Sequence, residues 1–144
     1  MSDRYLEDLQ VGEKAQTASV TMTEADILDF ARRFDPQPMH TDPHAPGGLI
    51  ASGWHTAAVV MRLVADAQPL GSLPLLGLGV DGIKWPLPVR PGDAIQVETE
   101  ILDIRPSKSQ PAYGIVKIRS TARNQDGEVV YVVTPNCWVP RRPA

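Results

Sequence analysis

A chain of 144 residues is about one domain long, and 42% hydrophobic with 22% charged residues is a globular composition, which excludes a disordered chain. Fourteen Lys and Arg against 17 Asp and Glu leave a net charge of −3, a poor match for a phosphate backbone, so nucleic acid is not the expected partner. A single cysteine, Cys137, excludes an internal disulfide and a cysteine-built metal cluster, and a reducing cytoplasm is the expected setting. The opening residues lack the apolar core of a signal peptide, and no run of ~18 apolar residues occurs, so no membrane span is expected. No linker or repeat divides the sequence, which predicts one domain over residues 1–144. The 14 prolines, about twice the usual ~5% share, predict short elements joined by stiff loops.

In chain order, Thr17 to Met22 alternates as a first strand. Thr23 then reads as the N-cap of an amphipathic helix over Glu24–Arg33, with Ile27, Leu28, Phe30, Ala31 and Phe34 at helical spacing. Two prolines, Pro36 and Pro38, end it, and the Pro/Gly-rich stretch to Gly48 reads as an ordered loop. Ser52 to Ala67 contains no proline and is apolar on almost every face, the pattern of a buried helix about 24 Å long. Strands follow at Leu75–Lys84, Ile95–Ile104, Gly114–Arg123 and from Val129 to Val133, where Pro135 predicts an edge or a bulge. Asn124 to Gly127 is a hairpin turn signal. A long apolar helix wrapped by about five antiparallel strands, with an extra helix near the start, makes an α+β fold.

The densest reactive cluster is Asp35-Pro36-Gln37-Pro38-Met39-His40, a carboxylate and an imidazole on one stiffened segment. Acid–base chemistry needs one group to take a proton and another to give it, and histidine as a residue type suits neutral pH. A second feature, Ala51-Ser52-Gly53-Trp54-His55, opens the buried helix, where free amides and the dipole stabilise a developing oxyanion. Taken alone, Ser52 reads first as an N-cap and His55 as a histidine hydrogen-bonded within the buried helix. Together, a proton-transfer pair and an oxyanion donor are what enolate chemistry beside a thioester carbonyl requires. Gly77 to Gly82 matches a dinucleotide fingerprint in spelling only, because no helix start follows it. His40 and His44 share no helical face across Pro43, so no metal site is expected.

Asp35-x-Gln37-Pro38-x-His40, then Ala51-Ser52-Gly53 opening an apolar helix, then Trp85 through Arg90-Pro91-Gly92-Asp93 into a strand, resembles the MaoC-like acyl dehydratases and (R)-specific enoyl-CoA hydratases. Phe34 stands where that family has a glycine, and Gln37 where it has asparagine. The resemblance implies a hot-dog fold, a homodimer, an acyl-CoA thioester substrate and no cofactor. It implies Asp35 and His40 as the catalytic pair and the Gly53 amide as the oxyanion donor, with Gln37, Ser52, Trp54 and His55 as candidate substrate-binding residues. The implied reaction is reversible addition of water across a trans-2-enoyl thioester. Two other readings are a thioesterase, disfavoured because the helix has no acid before Asp66, and a non-catalytic acyl-thioester binding domain. Trp54 and Trp85 either narrow an acyl tunnel or fill the core, and Arg90, Arg105 and Lys108 are candidates for holding coenzyme A phosphates.

Overall fold

The computed structural model describes residues 3–144. After one tight helical turn at Leu6–Asp8, the chain forms β1 (Lys14–Thr21), α1 (Glu24–Phe34), α2 (Pro38–Thr41) and α3 (Gly53–Ala67). Four strands complete it: β2 (Leu76–Lys84), β3 (Ala94–Pro106), β4 (Tyr113–Arg123) and β5 (Val129–Pro140). All five strands pair antiparallel in one sheet, in the order β1-β3-β4-β5-β2. The sheet curls around α3, which lies against β1 and β3.

Alternation builds the sheet's inner face. In β4, Gly114, Val116, Ile118, Ser120 and Ala122 are buried while the residues between them are less so. The main core joins Ile27 of α1 and Val60 and Leu63 of α3 to Ile95, Val97, Ala122 and Val130 of the sheet. A second cluster, with Leu6, Leu70, Ile101, Val116 and Val139, closes the other end.

Two expectations are corrected here, and of the edge or bulge expected at Pro135 it is the bulge that the structure has. The stretch from Pro36 to Gly48, read as loop, contains α2: Pro38 occupies the first helical position, where its missing N–H is not needed. The helix α3 is not buried all round. Only His55, Thr56, Val60 and Leu63 are buried, while Trp54 and Met61 are exposed, because a sheet on one side covers one stripe. Finally, β5 continues through Pro135 to Pro140 as an inner strand between β4 and β2. The proline is accommodated opposite Val80, between two register shifts of the β2–β5 ladder. The pseudo-fingerprint Gly77–Gly82 lies within β2. Among the described residues no helix is long and apolar enough to cross a membrane.

Candidate active site

The ends of α1, α2 and α3 meet at one place. Thr23 caps α1 by accepting from the Asp26 amide at 3.1 Å, and the helix runs to Asp35, its C-cap, where Pro36 stops it. Phe34 keeps ordinary helical backbone there, since Gln68 alone among described non-glycine residues has positive φ. The backbone freedom of a glycine is not needed at that position. The connection to α3 turns at Gly47 and Gly48, both at positive φ, and is tied down by Ile50 N–H to Met39 O at 3.0 Å and Ala51 N–H to Val89 O at 2.8 Å.

Asp35 is held from both sides. Its Oδ1 accepts from Gln37 Nε2 at 2.6 Å, and its Oδ2 accepts from the buried Ser52 hydroxyl at 2.7 Å. These two hydrogen bonds, Gln37 first, with His40 adding to them, hold the Asp35 carboxyl below the usual carboxylate range against a smaller opposing effect of burial. His40 is buried, and its Nδ1 lies 2.8 Å from Ile50 O. A carbonyl only accepts, so Nδ1 carries the proton and Nε2 is the reactive nitrogen. That Nε2 faces Asp35 Oδ2 at 3.5 Å, too long for a strong direct bond and close enough for both atoms to reach one water lying beside them.

His40 and Gly53 line a common cavity of about 500 Å³, together with Met39, Ile50, Ala51, Thr56, Trp85 and the Leu87–Val89 segment. Asp35 is not itself part of that wall and reaches the cavity's edge through His40. The Gly53 N–H, at the first position of α3, has no acceptor among the described residues. A cavity walled largely by apolar side chains, with an imidazole and a free helix amide on it, suits an uncharged acyl group with a polarisable carbonyl.

The remaining candidates sit elsewhere. Gln37 is exposed and Ser52 is the N-cap of α3, accepting from the Trp54 amide at 3.3 Å; both contact Asp35 rather than the cavity. Trp54 is 60% exposed and outside the cavity wall. His55 turns toward α1 and stacks on Phe30, ring centroids 4.9 Å apart, with burial pushing its imidazole down. Neither Trp54 nor His55 is brought to the cavity, because successive helix residues point about 100° apart and Gly53 already takes the inward direction. Thr56, one turn beyond Gly53, was legible by that spacing as a wall residue and was missed. Arg90 follows the lining residue Val89 and donates to Gly47 O at 2.8 Å, while Arg105 lies beside Asp103 and Lys108 is exposed.

A long helix held in a curled five-stranded antiparallel sheet is the hot-dog fold, and the family match places the chain in the hydratase and dehydratase class of that fold. The chain belongs to the MaoC-like domain family, which it matches over residues 8–124. The crystal structure of a MaoC-like dehydratase from Rhodospirillum rubrum is 46% identical and superposes with a TM-score of 0.86, over 97% of this chain and 99% of that one. The unliganded R-hydratase PhaJ1 from Pseudomonas aeruginosa is 25% identical with a TM-score of 0.79, covering 97% and 88%. YdeM of Bacillus subtilis (strain 168) is 30% identical over 125 residues, 83% of this chain and 87% of its own length.

Proposed function

We propose that the protein adds water reversibly across a trans-2-enoyl thioester, giving a 3-hydroxyacyl thioester, with acyl-CoA as the substrate form. The observation that carries this reading is the 3.5 Å approach of Asp35 Oδ2 to His40 Nε2 beside the cavity that His40 shares with the Gly53 amide. A water beside the pair, within hydrogen-bond reach of both atoms, gives one proton to the pair as its oxygen bonds to Cβ. Electron density moves through the double bond to the thioester oxygen, which the Gly53 N–H receives. The pair then returns a proton at Cα, so the enzyme ends as it began. The acid of α3, Asp66, lies at its far end, exposed, paired with Arg62 at 2.8 Å and outside the cavity wall, which disfavours a thioesterase that works from a helix carboxylate. Incubation with a short trans-2-enoyl-CoA and chiral analysis of the product tests the assignment. Formation of the 3-hydroxyacyl-CoA supports it; free thiol, or thermal stabilisation with no product, replaces it with the thioesterase or the binding-domain reading.

The same proposal includes a homodimer. At one sheet edge β2, paired with β5 on one side only, presents Leu76, Leu78 and Val80, all exposed, beside its free outer edge. An exposed apolar edge is a template for a further strand, and a second copy of β2 supplies it. Val80→Lys is expected to shift the protein from dimer toward monomer by light scattering after size exclusion. A Val80→Lys protein that stays fully dimeric at low micromolar concentration removes β2 from the interface.

A further inference from the structure

Trp85 follows β2 directly, 32 residues after Gly53, and returns to the first turn of α3. Its indole N–H donates to Gly53 O at 2.8 Å. The same ring fills the space a side chain at position 53 would need: a Cβ there would meet Trp85 Cε2 and Nε1 at 2.9 Å, closer than real contacts come. The indole is fixed from two further directions. Trp54 meets it edge-on at 5.2 Å and 80°, and Tyr131 of β5 lies 5.7 Å away at 45°. Beyond it the segment Pro86-Leu87-Pro88-Val89 is stiffened by its prolines and hooked to the loop before α3 by Val89 O. Trp85, Leu87, Pro88 and Val89 all line the cavity.

Resting on the hydratase reading, we propose that Trp85 is the positioning residue of the oxyanion turn and the side chain that sets the cavity's girth beside it. Gly53 is then a glycine chiefly to admit the indole, and not only to let substrate approach the main chain. The indole fixes the plane of the 53–54 peptide and leaves the adjoining Gly53 N–H free to face the thioester oxygen. Such a donor is effective only if it is already aimed when charge develops. The aromatic ring also bounds the space next to the reacting carbonyl, so its size decides which acyl groups fit.

Three variants test this: Trp85→Phe, Trp85→Ala and Gly53→Ala, with the Gly53→Ala/Trp85→Ala double. Trp85→Phe keeps a ring but loses the donor; kcat is expected to fall by about tenfold with KM changed less than about twofold. Trp85→Ala is expected to raise kcat/KM for longer or branched enoyl-CoAs relative to crotonyl-CoA by about tenfold. Gly53→Ala is expected to lower both the melting temperature and turnover, and Trp85→Ala in the same chain to recover part of each, a non-additive pair. A Trp85→Phe enzyme with unchanged kcat, a Trp85→Ala enzyme with an unchanged substrate profile, or a Gly53→Ala melting temperature that Trp85→Ala does not raise overturns the proposal. The melting readout needs no activity, so a wild-type protein that hydrates nothing would refute the hydratase reading while still judging the fit of Trp85 to Gly53.

Discussion

Asp35→Asn and His40→Gln are each expected to lower kcat/KM for a short enoyl-CoA by ~10²-fold or more, the usual contribution of a positioned proton-transfer group. Asparagine has the shape of aspartate but replaces one accepting oxygen with an NH2; its remaining oxygen can still accept from Ser52 while the exposed Gln37 amide turns its own oxygen to the new donor, so the fold is expected to hold. Asp35 contacts Gln37, Ser52 and His40 but does not anchor the main core, which is built from Ile27, Val60, Ile95, Val97 and their neighbours. Melting curves within a few degrees of wild type, beside the lost turnover, assign the effect to chemistry. The double variant is expected to be little worse than either single one, because the two groups act on one water. Full hydration by both single variants would leave the pair without a catalytic role.

Ser52→Ala is the second large effect, and it reaches turnover and stability together. The hydroxyl is fully buried, donates to Asp35 Oδ2 and accepts from the Trp54 amide. A hydrogen bond to a charged group is worth roughly 1.5–3 kcal/mol and an N-cap about 0.5–2 kcal/mol. Turnover is expected to fall by ~10–100-fold. The sign of the pH effect follows from Asp35. Its carboxyl is held below its ordinary value in the folded protein, so the linked stability is present above that ordinary value and lost as pH falls through the depressed one. Removing the Ser52 donor raises the folded value toward the ordinary one, so the acid limb of kcat/KM moves to higher pH and the part of the stability that acid removes through Asp35 becomes smaller. Titration of activity and melting temperature between neutral and acid pH reads both; an unmoved acid limb would separate Ser52 from Asp35.

The sheet was legible because strands half-buried on one face must alternate, and β4 does so throughout while β3 does so from Ile95 to Ile101, up to the register shift before Asp103. The helices were legible in their starts, where Thr23 and Ser52 cap, and in the stop at Pro36. The short helix α2 was hidden because proline reads locally as a breaker, although at a first helical position it is a starter. Asp35 and His40 lie five residues apart and were readable as a pair; what joins them to Ser52 is a tertiary contact across 17 residues. The seat of Trp85 on Gly53 has no local signal at all, since a tryptophan looks the same in sequence whether it fills a core or presses on a distant glycine. His55 faces Phe30 of α1 and not the cavity, because neighbouring positions on a helix serve different faces.

The Ser52 bridge has an electrostatic consequence for the proposed reaction. Asp35 closes the C-terminal end of α1, where the helix field opposes an anion, and leans on the N-terminal end of α3, where the field favours one. When the carboxylate takes up a proton, its negative charge disappears from beside α3 just as another grows on the thioester oxygen at the same helix end. One anion is handed along rather than a second created, so the dipoles around α3 have little rearranging to do as the barrier is crossed.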